Sequence, residues 1–306
     1  MKKLLYNVKF RKKIIFAFTI ILITVTSFIV SFSINNEKNN SAKNVSNNDS
    51  SGNKLIVDAN NELPKSPGTD NQNTGETVSD DVTAPPGQSN NTTDDIKEIR
   101  SSIEEYLEKE MKGAVAKRKT TTILFRIWVQ IPEEHEEMQK RALKMLPNCQ
   151  LQERIALHWG MAALAYPFFR DLASICGRLL SLQNEISNKQ ITRRMAELWG
   201  DKETVNTSSY RIVRSLVDWG VLADTEKKGF YKAAPRLPLG EGMQLWLLEA
   251  LLRSGEVSSV PVEQLFKLPQ GFPFELDLPY SKLRQCKNFE IQRQSLDLEM
   301  VSVREL

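Results

Sequence analysis

The amino-acid sequence predicts a mainly α-helical protein in three parts: an N-terminal transmembrane helix, a disordered tether, and a helical domain with a small β-hairpin and a C-terminal strand pair. Three observations carry that prediction. Residues 14–34 are a charge-free run rich in Ile, Phe, Val and Thr, and residues 35–93 are dominated by Asn, Ser, Thr, Asp and Gly. From residue 94 onward, apolar residues recur at helical spacing in one segment after another.

At about 1.5 Å per residue, the first run is long enough to cross the roughly 30 Å hydrocarbon core. Residues 1–13 hold Lys2, Lys3, Lys9, Arg11, Lys12 and Lys13 and no acid. The positive-inside rule therefore keeps the N-terminus cytoplasmic and exports the remainder of the chain, as a single-pass membrane protein. Ser31 and Ser33 would suit a signal-peptide cut, but the run exceeds the usual apolar length of such a peptide, which favours an uncleaved anchor. The tether cannot bury a core. Between residues 35 and 95 four lysines face ten acids, so it is mildly acidic.

A helical region is expected over residues 94–148. Asp94 or Asp95 would cap a helix with Ile96, Ile99, Ile103, Tyr106, Leu107 and Met111 on one side, ending at Gly113. The basic patch Lys117, Arg118 and Lys119 leads into a second helix over residues 120–131, and Pro132 opens a third, polar one that Pro147 closes. Residues 149–238 begin with two almost continuously apolar helices, over 151–160 and 161–182. Arg154, His158, Arg170, Asp171 and Arg178 make them too polar for a membrane span, so they are core helices.

Next, a helix capped by Asn188 places Ile191, Met195, Leu198 and Trp199 on one face and stops at Gly200. Another, capped by Asn206 or Thr207, turns Ile212, Val213, Leu216, Val217 and Trp219 inward and stops at Gly220. Two short strands, 221–225 and 230–234, are joined through Glu226, Lys227, Lys228 and Gly229. The last part, residues 239–306, holds a strongly apolar helix over 239–252. Beyond it, loops carry Pro261, Pro269, Pro273 and Pro279, and one or two strands occupy 289–303.

Residues 186–234 carry the functional expectation. Two helices and then a basic-tipped hairpin resemble a winged helix-turn-helix, and the stretch is similar to bacterial winged-helix proteins. The segments RRMAELWG and SLVDWGVL, with the hairpin, also resemble helical winged-helix proteins encoded beside bacterial phage-defence systems. The resemblance implies binding to double-stranded DNA, because an α-helix fits the major groove with its N-terminal side chains toward base edges. Asn206, Thr207, Ser208, Ser209 and Arg211 would take that position, with Arg214 on the same outer face. Lys227 and Lys228 at the hairpin tip, and Arg193 and Arg194 on the preceding helix, would meet phosphates. Winged helices also bind proteins and many act as pairs, so a protein partner or a homodimer is the alternative, in which the chain is an envelope scaffold.

An enzyme is not expected, and neither catalytic residues, a metal nor a cofactor is assigned. Gly240, Glu241 and Gly242 lack the third glycine and the preceding strand of a phosphate loop. His135 and His158 are the only histidines, and Gln139 stands where a zinc-protease motif starting at His135 needs its second one. His135 is read as a solvated helix residue and His158 as a core histidine. Cys149, Cys176 and Cys286 are odd in number and widely spaced, which suits neither a zinc knuckle nor a complete disulfide framework. Free buried cysteines and a DNA-contact helix suit the cytosol, while the anchor would export them. An inverted insertion, an exported protein, or the fusion of the N-terminal segment onto a cytosolic protein would each reconcile the two.

Overall fold

The computed structural model describes residues 89–110, 113–255, 257–295 and 298–304. The expected anchor and nearly all of the tether lie outside them. The described chain is mainly helical with two three-stranded antiparallel sheets, and among the described residues no helix is long and apolar enough to cross a membrane.

Helix α1, Ser89–Glu110, starts ahead of Asp94 and Asp95, so neither residue caps it. No Gly or Pro interrupts residues 89–112, and the helix runs back through the polar end of the tether. Gly113 is the N-cap of α2, Ala114–Trp128, which takes Lys117, Arg118 and Lys119 into its first turns instead of starting beyond them. Ala, Lys and Arg are strong helix formers, which favours the earlier start. Ile99, Ile103 and Leu107 of α1 are buried in one cluster with Leu124, Phe125 and Trp128 of α2.

A 3-10 turn, Glu133–His135, leads into α3, Glu136–Met145, and Pro147 falls within a second such turn, Leu146–Asn148. Helices α4, Leu151–Ala165, and α5, Pro167–Leu182, meet at Tyr166, whereas the sequence put the break at Gly160. Gly160 lies inside α4 because α8, Glu241–Ser254, crosses there: a Cβ on Gly160 would stand 2.6 Å from Cζ3 of Trp246. The glycine serves close packing, not termination.

Strand β1, Glu185–Ser187, helices α6, Asn188–Trp199, and α7, Glu203–Asp218, and strands β2, Leu222–Asp224, and β3, Phe230–Ala233, come next in order. The hairpin sits as expected, but the sheet has three strands in the order β1-β3-β2, with Ile186 opposite Tyr231. A three-residue strand is too short to show an alternation of its own. Leu198 and Trp199 are 64% and 40% exposed, not part of the inner face of α6. The C-terminal strand pair is present as β5, Phe289–Arg293, and β6, Glu299–Val303, and β4, Ser259–Pro261, adds a third strand in the order β4-β6-β5. The short helices α9, Val262–Leu265, and α10, Tyr280–Gln285, lie among the prolines where the sequence predicts only loops.

Helices α4, α5 and α8 form the centre of the core. Trp159, Leu172, Trp246, Leu247 and Leu251 are buried there, and Trp219 at the end of α7 meets Trp159 and Phe169 edge-on or tilted. The segment from β1 to β3 is thus seated on the helical body through Trp219, through the Trp199 ring against Phe168, and through direct packing of α5 against α6 and β1.

Candidate nucleic-acid interface

The interface begins at a helix cap one residue earlier than expected. Ser187, not Asn188, caps α6: its hydroxyl accepts from the Gln190 N–H at 3.2 Å, and the Gln190 side chain accepts from the Ser187 N–H at 2.8 Å. That reciprocal pair satisfies two otherwise orphaned donors. Asn188 instead occupies the first turn, and its N–H donates to the Gly229 carbonyl at 2.8 Å, which ties the start of α6 to the hairpin tip. Gly229 has φ 79°, a conformation that favours glycine and lets the tip turn.

Helix α7 starts at Glu203, so Asn206 and Thr207 lie one turn inside it and cap nothing. Thr207 donates to the Glu203 carboxylate at 3.2 Å. Ser208 is half-buried. Ser209 is fully buried and donates to the Val205 carbonyl at 2.7 Å, so it cannot reach a groove. Helical period explains the error: Val205, Ser209, Val213 and Leu216 share the inner face, and a small serine is read as polar when its neighbours make it core. Arg211 is exposed. Beside it Tyr210 is 49% exposed, an amphipathic ring next to a cation that the sequence reading passed over.

Arg214 has another task. Its Nη1 donates to both carboxylate oxygens of Asp224, at 2.8 and 2.9 Å, and its Nη2 lies 3.8 Å from Asp218. Burial works against its charge, but the hydrogen bond and charge of Asp224 outweigh it and hold the guanidinium above its usual pKa. Arg214 clamps α7 onto β2. The same burial pushes the Asp218 carboxyl upward, against the pull of Arg214.

A concave groove of about 990 Å³ opens between the start of α6, the second turn of α7 and the hairpin tip. Asn188, Arg193, Asn206 and Lys228 line it, together with Glu197 and Asp201, so its charge is mixed. The groove brings together three of the sequence-predicted residues, Arg193, Asn206 and Lys228. Asn188 and Asn206 each carry a buried side-chain oxygen with no hydrogen-bond partner among the described residues. Buried polar atoms are nearly always bonded, to protein or to ordered water, so a water or a polar guest in the groove completes these two oxygens. Arg193 and Arg194 are largely exposed and share Glu197 at 3.2 and 3.3 Å. The Lys227 ammonium stands 4.0 Å over the Phe230 ring.

His158 is buried, accepts from Trp128, and has its pKa lowered by burial to about 4. His135 is less solvated than expected: its Nδ1 is buried without a partner among the described residues, and burial lowers its pKa. Burial raises the Cys176 thiol to about 12 and Cys149 to about 11, and all three cysteines are free. Not expected from the sequence is Glu249, a 1% exposed carboxylate held by Arg141, Arg253 and Asn288. Its signal is an acid embedded in the run of leucines 245–252. Comparison with protein families, with curated proteins and with solved structures finds no match to this chain.

Proposed function

We propose that residues 185–234 form a winged helix that binds duplex DNA, with α7 as the recognition helix and the β2–β3 hairpin as the wing. The observation that carries this is the joining of α6, α7 and the hairpin tip around one groove that holds two unbonded Asn oxygens and three exposed cations, Lys189, Arg193 and Lys228. The order helix, strand, two helices, then a hairpin paired through β3 to β1 supports it. Asn188 and Asn206 suit hydrogen bonds to sugar, phosphate or base edges, and Arg193, Arg211, Lys227 and Lys228 suit phosphates. Neither catalysis nor a cofactor enters this reading.

The test is anisotropy of a labelled duplex titrated with the full chain in detergent. Binding should weaken steeply with salt, and Lys227→Gln with Lys228→Gln should reduce the salt slope by about one for each phosphate that is no longer neutralised. Salt-independent binding, or none, would sink the proposal. DNA binding also needs the module on the cytoplasmic side, opposite to what the positive-inside rule gives for an anchor at residues 14–34. A reporter fused after Leu306 decides between the two.

One observation favours a protein partner instead. Leu198, 64% exposed beside Trp199, is an apolar contact that DNA binding does not use. Capture of a partner that resists nuclease and is abolished in Leu198→Ser would support that reading.

A further inference from the structure

Helix α2 has a second cationic surface. The exposed residues Val115, Arg118, Lys119, Thr122, Ile123 and Arg126 fall on one face, while Thr121, Leu124, Phe125, Ile127 and Trp128 are buried on the other. The helix contains no acid. Lys117 is paired with Glu108 at 3.1 Å, but Arg118 and Lys119 make no ion pair with any described residue. The guanidinium of Arg126 lies 5.1 Å from the centre of the Tyr166 ring.

That last contact places the surface relative to the groove. Tyr166 is the N-cap of α5, and two residues further on the Phe168 ring stands 5.2 Å from that of Trp199. Trp199 is the last residue of α6, and Lys202, the N-cap of α7, comes just after the Gly200 turn. Arg126, in the last turn of α2, is thus linked through Tyr166 and Phe168 to the turn that feeds α7.

We propose that this face of α2 is a second phosphate-backbone contact, engaging the same duplex beyond the winged helix; it rests on the DNA-binding reading of residues 185–234. From Arg118 to Arg126 the helix advances about 12 Å, a length over which duplex DNA carries roughly seven charges. Charge complementarity on that scale suits three cations with no neighbouring carboxylate on their own helix. An anionic membrane fits less well: an interfacial helix lays a broad stripe of large apolar residues into the lipid, and here only Val115 and Ile123 are exposed among the cations while Leu124, Phe125 and Trp128 point into the core.

The experiment uses the full chain with Arg118→Gln, Lys119→Gln and Arg126→Gln, on duplexes of about 10 and about 30 base pairs, one and three helical turns. The triple variant should bind the long duplex roughly tenfold more weakly and lower its salt slope by between two and three, while binding the short one as the unaltered chain does. Because Arg126 stacks on Tyr166, the double variant lacking only Arg118 and Lys119 is measured as well; it keeps that contact and should show about two-thirds of the effect on the slope. Equal affinities of variant and parent on both duplexes overturn this proposal and leave the winged-helix reading standing. No binding of either duplex by the parent overturns both. Loss of binding to phosphatidylserine vesicles with duplex binding intact overturns it in favour of a membrane contact.

Discussion

The indole N–H of Trp128 donates to Nδ1 of His158 at 3.1 Å, and Trp219 meets the same imidazole edge-on with ring centres 5.2 Å apart. One buried, neutral histidine thus joins α2, α4 and the end of α7. Its pKa is about 4 in the folded chain against 6.5 when solvated, so below pH 6.5 the unfolded chain binds the extra proton and the folded chain does not. Stability from this group is complete above pH 6.5 and is lost as pH falls toward 4, by about 3 kcal/mol over that window. His158→Gln, which keeps an acceptor for Trp128, should be less stable than the parent at pH 7 by about 1–3 kcal/mol, with the gap closing on acidification. Urea unfolding at several pH values reads this. His135 is present in both chains, so a gap that does not change with pH would refute the role of His158.

Glu249 receives two hydrogen bonds from Arg141, at 2.8 and 2.7 Å, one from Arg253 at 3.0 Å and one from Asn288 at 2.6 Å. The carboxylate ties α3 and α8 to the residue that precedes β5. Glu249→Leu leaves two guanidinium groups facing each other over an apolar side chain. Their side chains are 26% and 20% exposed and can relax partly into water, so the expected cost is about 3 kcal/mol, the low end for a broken buried pair. A lower urea midpoint with an unchanged slope is the expected result. A variant as stable as the parent would mean the cluster contributes nothing net.

The parts of this fold that were legible in the sequence are those with a long apolar period. Helices α6 and α7 and the β2–β3 hairpin stand close to where spacing put them, because burial of one face dictates the pattern. What was not legible depends on contacts between distant segments. Gly160 looked like a break because nothing local announces that Trp246 crosses it, and β1, α9 and α10 are shorter than any period that could reveal them. At the candidate interface, charge type was readable but direction was not. Arg211 and Arg214 look alike in sequence, and only the position of Asp224 separates them.

Gly177 of α5 tests the same kind of contact. A Cβ there would lie 2.0 Å from the Pro269 carbonyl oxygen, a backbone atom that cannot swing aside. The turn Pro269–Gly271 also accepts the Trp159 indole N–H, through the Gln270 carbonyl at 2.9 Å. Gly177→Ala should displace the turn and cost about 3 kcal/mol, roughly 6–12 °C in Tm. Gly242, in the first turn of α8, has nothing within 4 Å of such a Cβ, so Gly242→Ala should leave Tm unchanged or slightly raised. Equal effects of the two in calorimetry would contradict the packing argument.

The cap of α6 separates two adjacent polar residues. Ser187→Ala removes the acceptor of the Gln190 N–H and should cost about 1 kcal/mol. Asn188→Ala leaves that pair intact and removes a side-chain oxygen that has no partner among the described residues, so it should leave stability near the parent while weakening duplex binding. If Asn188→Ala proves the more destabilising in thermal melts, Asn188 is the cap after all.

Arg211 and Arg214 divide affinity from stability. Arg211 is exposed and outside any ion pair with a described residue, whereas Arg214 is clamped to Asp224. Arg211→Gln should therefore keep the parent Tm, lower duplex affinity several-fold, and reduce the salt slope by about one. Arg214→Gln should lower Tm, since it frees Asp224 and leaves α7 and β2 less firmly joined; the exposed carboxylate keeps the cost to about 1 kcal/mol. Its effect on the salt slope should be small, because a guanidinium already shared with Asp224 and Asp218 releases few counterions. An Arg214→Gln chain that melts like the parent yet loses a full unit of salt slope would return Arg214 to the DNA-contact face and reverse the assignment.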